Sequence, residues 1–130
     1  MAWEREGVLH ICGEGGVKAN TDCSYLFYRY NNLRSIDFGN CFDTSQVMDM
    51  SSMFSGCGSL TSVDVSKFDT SQVTSMWDMF SGCGSLTSVD VSRFNTSQVT
   101  DMVCMFYDCP EQVRIQGEKL IQRHNTRKDS

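Results

Sequence analysis

The sequence predicts an α/β repeat solenoid, in which each 26-residue coil contributes short parallel strands and one short helix. The block MFSGCGSLTSVDVS occurs twice without change, at residues 53–66 and 79–92. The residues before each helix also match, because three copies contain FDTSQV, FDTSQV and FNTSQV. Repetition at a fixed period of roughly 20–50 residues is typical of a solenoid whose copies stack on one another.

The first element of each coil is expected to be a strand. In LTSVDVS, at residues 60–66, the leucine and both valines are expected to point inward, with Asp64 facing solvent. A turn anchored at Phe68 and rich in residues that bond nearby backbone separates this strand from a second short strand through Val73. Adjacent coils are expected to pair these strands in parallel.

A short helix is expected to complete the coil. After the second strand, the apolar residues follow the i, i+3, i+4, i+7 spacing of one helix face: Met76, Met79, Phe80 and Cys83. Gly82 or Gly84 is suited to the end of that helix. One coil cannot bury its apolar face alone, so neighbouring copies and two caps are needed.

The repeat pattern divides the chain into four segments within one domain. Residues 1–32 are expected to form an N-terminal cap with a first partial repeat, and residues 33–109 the solenoid repeats. Residues 110–122 are expected to form a C-terminal cap, and residues 123–130 a disordered basic tail.

Composition excludes several classes of function. The chain has 130 residues, of which 40% are apolar and one is proline, which argues against disorder. It has no apolar run of the roughly 20 residues that a membrane helix needs, and no signal peptide, so we expect no membrane insertion and a cytoplasmic location. The net charge of −5 disfavours nucleic acid as a partner and suits a basic protein surface.

The cysteines are expected to form a column of buried thiols. Cys57, Cys83 and Cys109 recur every 26 residues, so they occupy one position of successive coils. Stacked side chains lie about 4.8 Å apart and point in parallel, which does not favour disulfides. With seven cysteines and no CxxC motif, the sequence also predicts no metal site at these residues.

Acidic side chains are expected to stack in two columns. Asp37, Asp64 and Asp90 share the strand position, and Asp43, Asp69 and Asn95 share the turn position. Such columns could bind Ca²⁺, or the turn aspartates could bond backbone amides while the strand aspartates meet solvent. The second interpretation is favoured, because one column contains an asparagine and no nonapeptide calcium motif is present. We therefore expect no metal and no cofactor.

Enzyme activity is not expected. The two histidines, His10 and His124, have no accompanying nucleophile motif. CGEGG, at residues 12–16, lacks the lysine and hydroxyl residue of a phosphate-binding loop, and its spacing does not match a dinucleotide-binding motif. It is interpreted as a turn.

Residues 33–109 resemble the 26-residue repeat of bacterial surface proteins, usually written LxxLDLSxFDTSxVTxMxxMFxxC, a branch of the BspA-like leucine-rich-repeat proteins. WEREGVLHICGEG, at residues 3–15, is similar to the N-terminal cap of that family, a pair of strands. The resemblance implies a right-handed, leucine-rich-repeat-like solenoid that serves in binding, commonly at bacterial or protist cell surfaces and often in adhesion. It implies no catalytic residues.

The leading functional hypothesis is a non-catalytic protein-protein interaction module, adhesin-like by resemblance and monomeric, with one protein partner whose identity the sequence does not specify. A second hypothesis is a small acidic intracellular inhibitor or effector that occupies a basic protein surface. A third is a structural fragment or cap of a longer surface array.

The candidate binding residues are those that differ between copies. Trp77, Val103 and Tyr107 lie outside the apolar stripe and are expected to cluster on one exposed ridge. The alternative for Trp77, left open here, is that it folds over the neighbouring coil as packing. The complete candidate site comprises Trp77, Asp78, Val103 and Tyr107 on the ridge, with Asp37, Asp64 and Asp90 on the strand face.

Overall fold

The computed structural model describes residues 2–11 and 16–117. The expected C-terminal cap at 110–122 lies partly outside these residues, and the basic tail at 123–130 and most of the expected CGEGG turn lie outside them. The described residues contain seven short strands: β1 (Ala2–Arg5), β2 (Val8–Ile11), β3 (Val17–Lys18), β4 (Ser35–Asp37), β5 (Phe42–Asp43), β6 (Ser88–Asp90) and β7 (Arg114–Gln116).

The strands form three small, separate sheets. Strands β1 and β2 make an antiparallel hairpin in which Trp3 lies opposite His10. Strand β2 then pairs in parallel with β4, with Leu9 opposite Ile36. Parallel pairs of β3 with β5 and of β6 with β7 complete the set.

The predicted α/β solenoid is wrong. No helix is present in residues 2–11 and 16–117, and the strands are short and confined to the three small sheets. The leucine-rich-repeat-like coil, with a helix in every 26-residue repeat, is therefore also wrong. The segment predicted as the helix, residues 76–83, consists mainly of consecutive turns.

Left-handed residues prevent a helix in this segment. Asp78 has φ of 58° and Gly82 has φ of 76°, values that a right-handed helix excludes. The backbone N–H groups of Met76, Asp78 and Phe80 donate to carbonyl oxygens 25 residues later at 2.8–3.0 Å, rather than to their own preceding turn. The same two positions are left-handed in the other copies: Tyr25, Ser52 and Cys104 at the first, and Arg29, Gly56 and Asp108 at the second.

The 26-residue copies lie side by side and are joined by backbone hydrogen bonds. We refer to residues 22–48, 49–74, 75–100 and 101–117 as the first, second, third and fourth repeats. Parallel bridges join their first residues in order: Asp22 to Asp49, Asp49 to Ser75, and Ser75 to Asp101. The first nine residues of each repeat, such as 22–30 in the first, are called its turn segment.

Equivalent side chains form the core by stacking. Four phenylalanine rings lie in one pile with centroids 5.2–5.5 Å apart and planes within 13° of parallel: Phe27, Phe54, Phe80 and Phe106. Cys57, Cys83 and Cys109 each place Sγ 3.1–3.2 Å from a phenylalanine carbonyl oxygen of the preceding repeat. Burial raises the pKa of Cys57 and of Cys109 to about 11, so these thiols stay protonated near neutral pH.

The N-terminal end of the stack is stepped. On one side of the first repeat, β2 covers β4, and β1 in turn covers β2. On a second side, β3 covers β5. No described residue pairs with the outer side of the turn segment at 22–30, so its large side chains Tyr25, Leu26, Tyr28 and Tyr30 are about half exposed.

Candidate protein-binding surface

Three aromatic residues from two repeats meet on the surface. The ring of Tyr25 lies edge-on to Trp77, with centroids 6.2 Å apart at an angle of 77°. On its other side, Tyr25 lies edge-on to Tyr28, at 5.2 Å and 83°. Edge-to-face geometry at these distances is favourable for aromatic pairs. We call Tyr25, Tyr28 and Trp77 the aromatic patch.

Small residues in the intervening repeat allow this contact. Tyr25 belongs to the first repeat and Trp77 to the third, so the contact spans the second. There, the equivalent positions are Ser51 and Ser52, which are 0% and 2% exposed. The hydroxyl of Ser51 lies 2.6 Å from that of Ser75, which satisfies a buried polar group. A larger side chain at either buried serine would have to enter the space that the two rings close over.

Charged groups border the patch. The guanidinium of Arg29 lies 5.9 Å from the centre of the Tyr28 ring, within cation–π range. Asp78, next to Trp77, is half-buried, and desolvation followed by the nearby Asp101 carboxylate raises its pKa. The patch therefore combines apolar rings with one cation and one partly desolvated carboxylate.

The predicted ridge of Trp77, Val103 and Tyr107 makes contacts other than those that the sequence predicts. Trp77 and Val103 are half-buried in adjacent repeats, linked where the N–H of Asp78 donates to the Val103 carbonyl at 3.0 Å. Tyr107 is 52% exposed, but its ring does not contact Trp77. The ring of Trp77 contacts Tyr25, two repeats away, whereas the packing alternative placed Trp77 over the neighbouring repeat. The binding role of all these residues stays a prediction.

The other candidate residues form an exposed acidic column. Asp37, Asp64 and Asp90 are all exposed, and each accepts a hydrogen bond from the backbone N–H two residues later at 2.9 Å. The pKa of Asp64 is lowered, first by the hydroxyl of Ser66 and then by its amide. The same contacts from Ser92 lower the pKa of Asp90. Asp64 and Asp90 therefore stay ionised above acidic pH.

The first member of this column has an aromatic neighbour. Asp37 Oδ2 lies 3.2 Å from His10 Nδ1, and the His10 ring stacks on Trp3 with centroids 5.3 Å apart. An open cleft of about 360 Å³ lies beside the column. Its lining includes three phenylalanines, two of the aspartates and one lysine: Phe38, Phe42, Phe68, Asp37, Asp64 and Lys67.

The turn column also bonds local backbone. Asp43 and Asp69 accept hydrogen bonds from the backbone N–H groups of Ser45 and Ser71 at 2.9 and 3.0 Å. The amide and then the hydroxyl of Ser45 lower the pKa of Asp43, and the hydroxyl and then the amide of Ser71 lower the pKa of Asp69. Within residues 2–11 and 16–117, no group of three or more histidine, cysteine or acidic residues is arranged to hold a metal ion.

Sequence reasoning missed the first repeat as part of the surface. Tyr25, Leu26, Tyr28 and Tyr30 are each 46–48% exposed, although none was a candidate residue. The available signal was the run CSYLFYRY, at residues 23–30, which is unusually rich in tyrosine. The ridge candidates come from comparing the three closely matching copies, and this run lies before the first of them.

Comparison with known proteins corrects the family assignment. A family model described as "Mycoplasma protein of unknown function, DUF285" matches residues 21–125. No curated protein and no solved structure matches the chain. In the described part of the chain, no helix has the length and hydrophobicity needed to cross a membrane. The predicted membership of the BspA-like repeat family is wrong, because the match that covers most of the chain is to a different family. The chain belongs to DUF285, the family of Mycoplasma proteins of unknown function.

Proposed function

We propose that the chain is a non-catalytic module that binds one protein partner through the aromatic patch. The supporting observation is that Tyr25, Tyr28 and Trp77 converge on the surface instead of joining the phenylalanine core. Tyrosine and tryptophan are enriched among the residues that contribute most to binding energy, and exposed apolar clusters often mark interfaces. The patch gives a partner three adjacent rings on a surface supported by buried serines.

The geometry also favours binding on entropic grounds. A side chain that is ordered only on binding costs roughly 0.5–1.5 kcal/mol. Tyr25 is already held between Tyr28 and Trp77 by edge-on contacts, and its backbone N–H donates to the Ser51 carbonyl at 3.0 Å. Part of that ordering cost is therefore met by the folded chain before a partner arrives.

The two tryptophans of the chain provide a matched test. Trp77→Ala is expected to weaken partner binding by about 2 kcal/mol or more, while stability falls by less than about 1 kcal/mol. Trp3→Ala serves as the control, because Trp3 is 48% exposed but stacks on His10 away from the patch. Wild type and both variants would be used as bait, and the affinity of the captured partner then measured by calorimetry.

A second patch variant distinguishes a loss of binding from a loss of the fold. Tyr25→Ser introduces the residue that occupies the equivalent position 52 of the second repeat, where φ is also positive. Loss of the same partner with Trp77→Ala and Tyr25→Ser, but not with Trp3→Ala, supports the proposal. Equal capture by all variants contradicts it. The same holds if Trp77→Ala unfolds the chain while Tyr25→Ser binds normally, because Trp77 then serves packing alone.

A second candidate function is an inhibitor or effector that covers a basic protein surface. The observation that favours it is the exposed column of Asp37, Asp64 and Asp90 on a chain of net charge −5. Binding through this column would weaken strongly with added salt, because exposed charges are screened within about 8 Å at physiological ionic strength. Asp64→Asn combined with Asp90→Asn should then abolish capture, and Trp77→Ala should leave it unchanged.

A further inference from the structure

The turn segments of the first three repeats donate backbone hydrogen bonds to the next repeat in a fixed register. Four N–H groups of the first repeat, at alternate residues, donate to the second at 2.8–3.0 Å: Cys23 to Asp49, Tyr25 to Ser51, Phe27 to Met53, and Arg29 to Ser55. The second repeat donates to the third in the same pattern. A repeat inside the stack therefore has four carbonyls filled by the repeat before it.

The first repeat has the same four carbonyls without these donors. Those of Asp22, Ser24, Leu26 and Tyr28 accept no hydrogen bond from residues 2–11 or 16–117. The side chains show the same opening, because Leu26 is 46% exposed whereas Met53, at the equivalent position of the second repeat, is 0% exposed. We call this open side of residues 22–30 the N-terminal notch.

The shape of the N-terminal end admits one segment and excludes a stacked second copy. Strand β2 stacks on β4 of the first repeat and so occupies the layer that precedes this repeat, and β1 stacks on the outer side of β2. A second copy added end-on would need its own last strand, β7, in the place that β2 occupies. Among residues 2–11 and 16–117, nothing covers the turn side of that layer, which is open over the length of a single segment.

We propose that the notch binds a segment of the partner protein that adopts the same succession of turns as residues 22–30, runs parallel to them and donates alternate backbone N–H groups to the four open carbonyls. This inference rests on the proposed binding function and names the part of the partner that is recognised. The bound segment continues the hydrogen-bond ladder between the repeats, as in strand addition to an open sheet edge. It also places an apolar side chain over Leu26, as Leu26 itself covers the next repeat.

Specificity would come from the residues that border the notch. Tyr25 and Tyr28 belong both to the notch segment and to the aromatic patch, so a bound segment lies against their rings. Proline or an N-methylated residue at a donating position removes a hydrogen bond and is excluded there. Main-chain bonds thus supply affinity, and the tyrosines with Leu26 select side chains.

The test uses the full chain and a synthetic peptide with the sequence of residues 49–57, DMSSMFSGC, with blocked ends and the Cys57→Ser change. This segment carries the donor register, because the N–H groups of Ser52 and Phe54 donate to the next repeat. N-methylation of these two residues is expected to weaken binding at least tenfold in fluorescence anisotropy. N-methylation of Ser51 and Ser55, whose N–H groups bond within the segment, to Asp49 Oδ1 and to the Ser52 carbonyl, rather than to the next repeat, is expected to weaken it by a smaller factor.

A pair of protein variants locates the peptide. Leu26→Lys is expected to weaken peptide binding at least tenfold, and Met48→Lys, at an apolar residue 51% exposed outside the notch, to leave it unchanged. No saturable binding of the unmodified peptide at millimolar concentration, equal effects of the two methylation patterns, or equal effects of the two lysines would each overturn the notch.

The outcomes separate this inference from the proposed function. If the partner is lost with Trp77→Ala while the peptide does not bind, the patch stands and the notch is rejected. If the peptide binds in the expected register but Trp77→Ala captures the partner as well as wild type does, the notch is supported and the patch is rejected.

Discussion

Replacing Gly82 with alanine is expected to destabilise the chain, whereas the same change at Gly84 is expected to stabilise it slightly. Gly82 has φ of +76°, in the left-handed region where an alanine is strained. Gly84 has no such φ, and a Cβ added there would meet nothing within 4 Å. The two glycines lie two residues apart in SGCGS, and neither added Cβ would clash, so comparing the two variants tests the effect of the backbone conformation.

The magnitude follows from two opposing effects. A left-handed conformation costs an alanine about 1–2 kcal/mol. Alanine in place of glycine also restricts the unfolded chain, which stabilises the fold by about 0.4–1 kcal/mol. The second effect is common to both variants, so their stabilities should differ by about 1–2 kcal/mol, or roughly 4–8 °C in Tm. No clash adds to this at Gly82, because its Cβ would lie 3.5 Å from the nearest atom, the Gly56 nitrogen.

Urea unfolding of wild type and both variants measures this difference, with equal m-values as the check that the unfolded states are comparable. Gly56→Ala extends the series, because Gly56 has φ of +77° and its Cβ would lie 2.9 Å from Arg29 Cγ. Its loss should equal or exceed that of Gly82→Ala. Indistinguishable midpoints for Gly82→Ala and Gly84→Ala would refute the left-handed turn at residue 82.

Three further predictions concern charge, metal and thiols. Because burial raises the pKa of Asp78, its ionised form is disfavoured in the fold, and Asp78→Asn should raise Tm at pH 7. The gain should shrink as the pH falls through the raised pKa and vanish below the unfolded value of about 3.8; a lower Tm at pH 7 would contradict this. Calcium should leave Tm unchanged, whereas a rise of several degrees that EDTA reverses would show a site. In the native chain, iodoacetamide should modify the half-buried Cys41 well before the buried Cys83, with equal rates in denaturant; early modification of Cys83 would contradict its place in the core.

The sequence predicts which residues are buried in the turn segment, but not its backbone. Met76, Met79, Phe80 and Cys83 have the spacing of a helix face, and all are 0% exposed. The same spacing suits consecutive turns whose N–H groups donate to the next repeat. What decides between them is the left-handed conformation at Asp78, where aspartate gives only a weak signal. Nor does one repeat reveal that its hydrogen-bond acceptors lie 25 residues later.

The candidate surface is predictable in part for a related reason. Trp77 can be found by comparing copies, because Ser51 and Val103 occupy the same position. Its neighbour Tyr25 cannot, since the contact skips one repeat and depends on small, buried serines there. The inserted residue of the first repeat also shifts Tyr25 out of the 26-residue register that relates the other copies.

Stacking at a fixed interval confines large surface residues to particular repeats. Tyr28 and Tyr107 occupy one position at the two ends of the stack, with Ser55 and Ser81 between them. The interior repeats are thus nearly identical, and the first repeat is where distinctive side chains and unfilled carbonyls coincide.

Because the notch and the aromatic patch share residues of the first repeat, we expect the affinity losses of the notch and patch variants to depend on each other. If one partner segment fills the notch and contacts the patch, Leu26→Lys displaces the same segment that Trp77→Ala weakens. Residues that act on one bound segment give non-additive effects, whereas separate contacts add to within about 0.5 kcal/mol. The double variant should therefore lose less affinity than the sum of the single losses, and strict additivity would assign notch and patch to different parts of the partner.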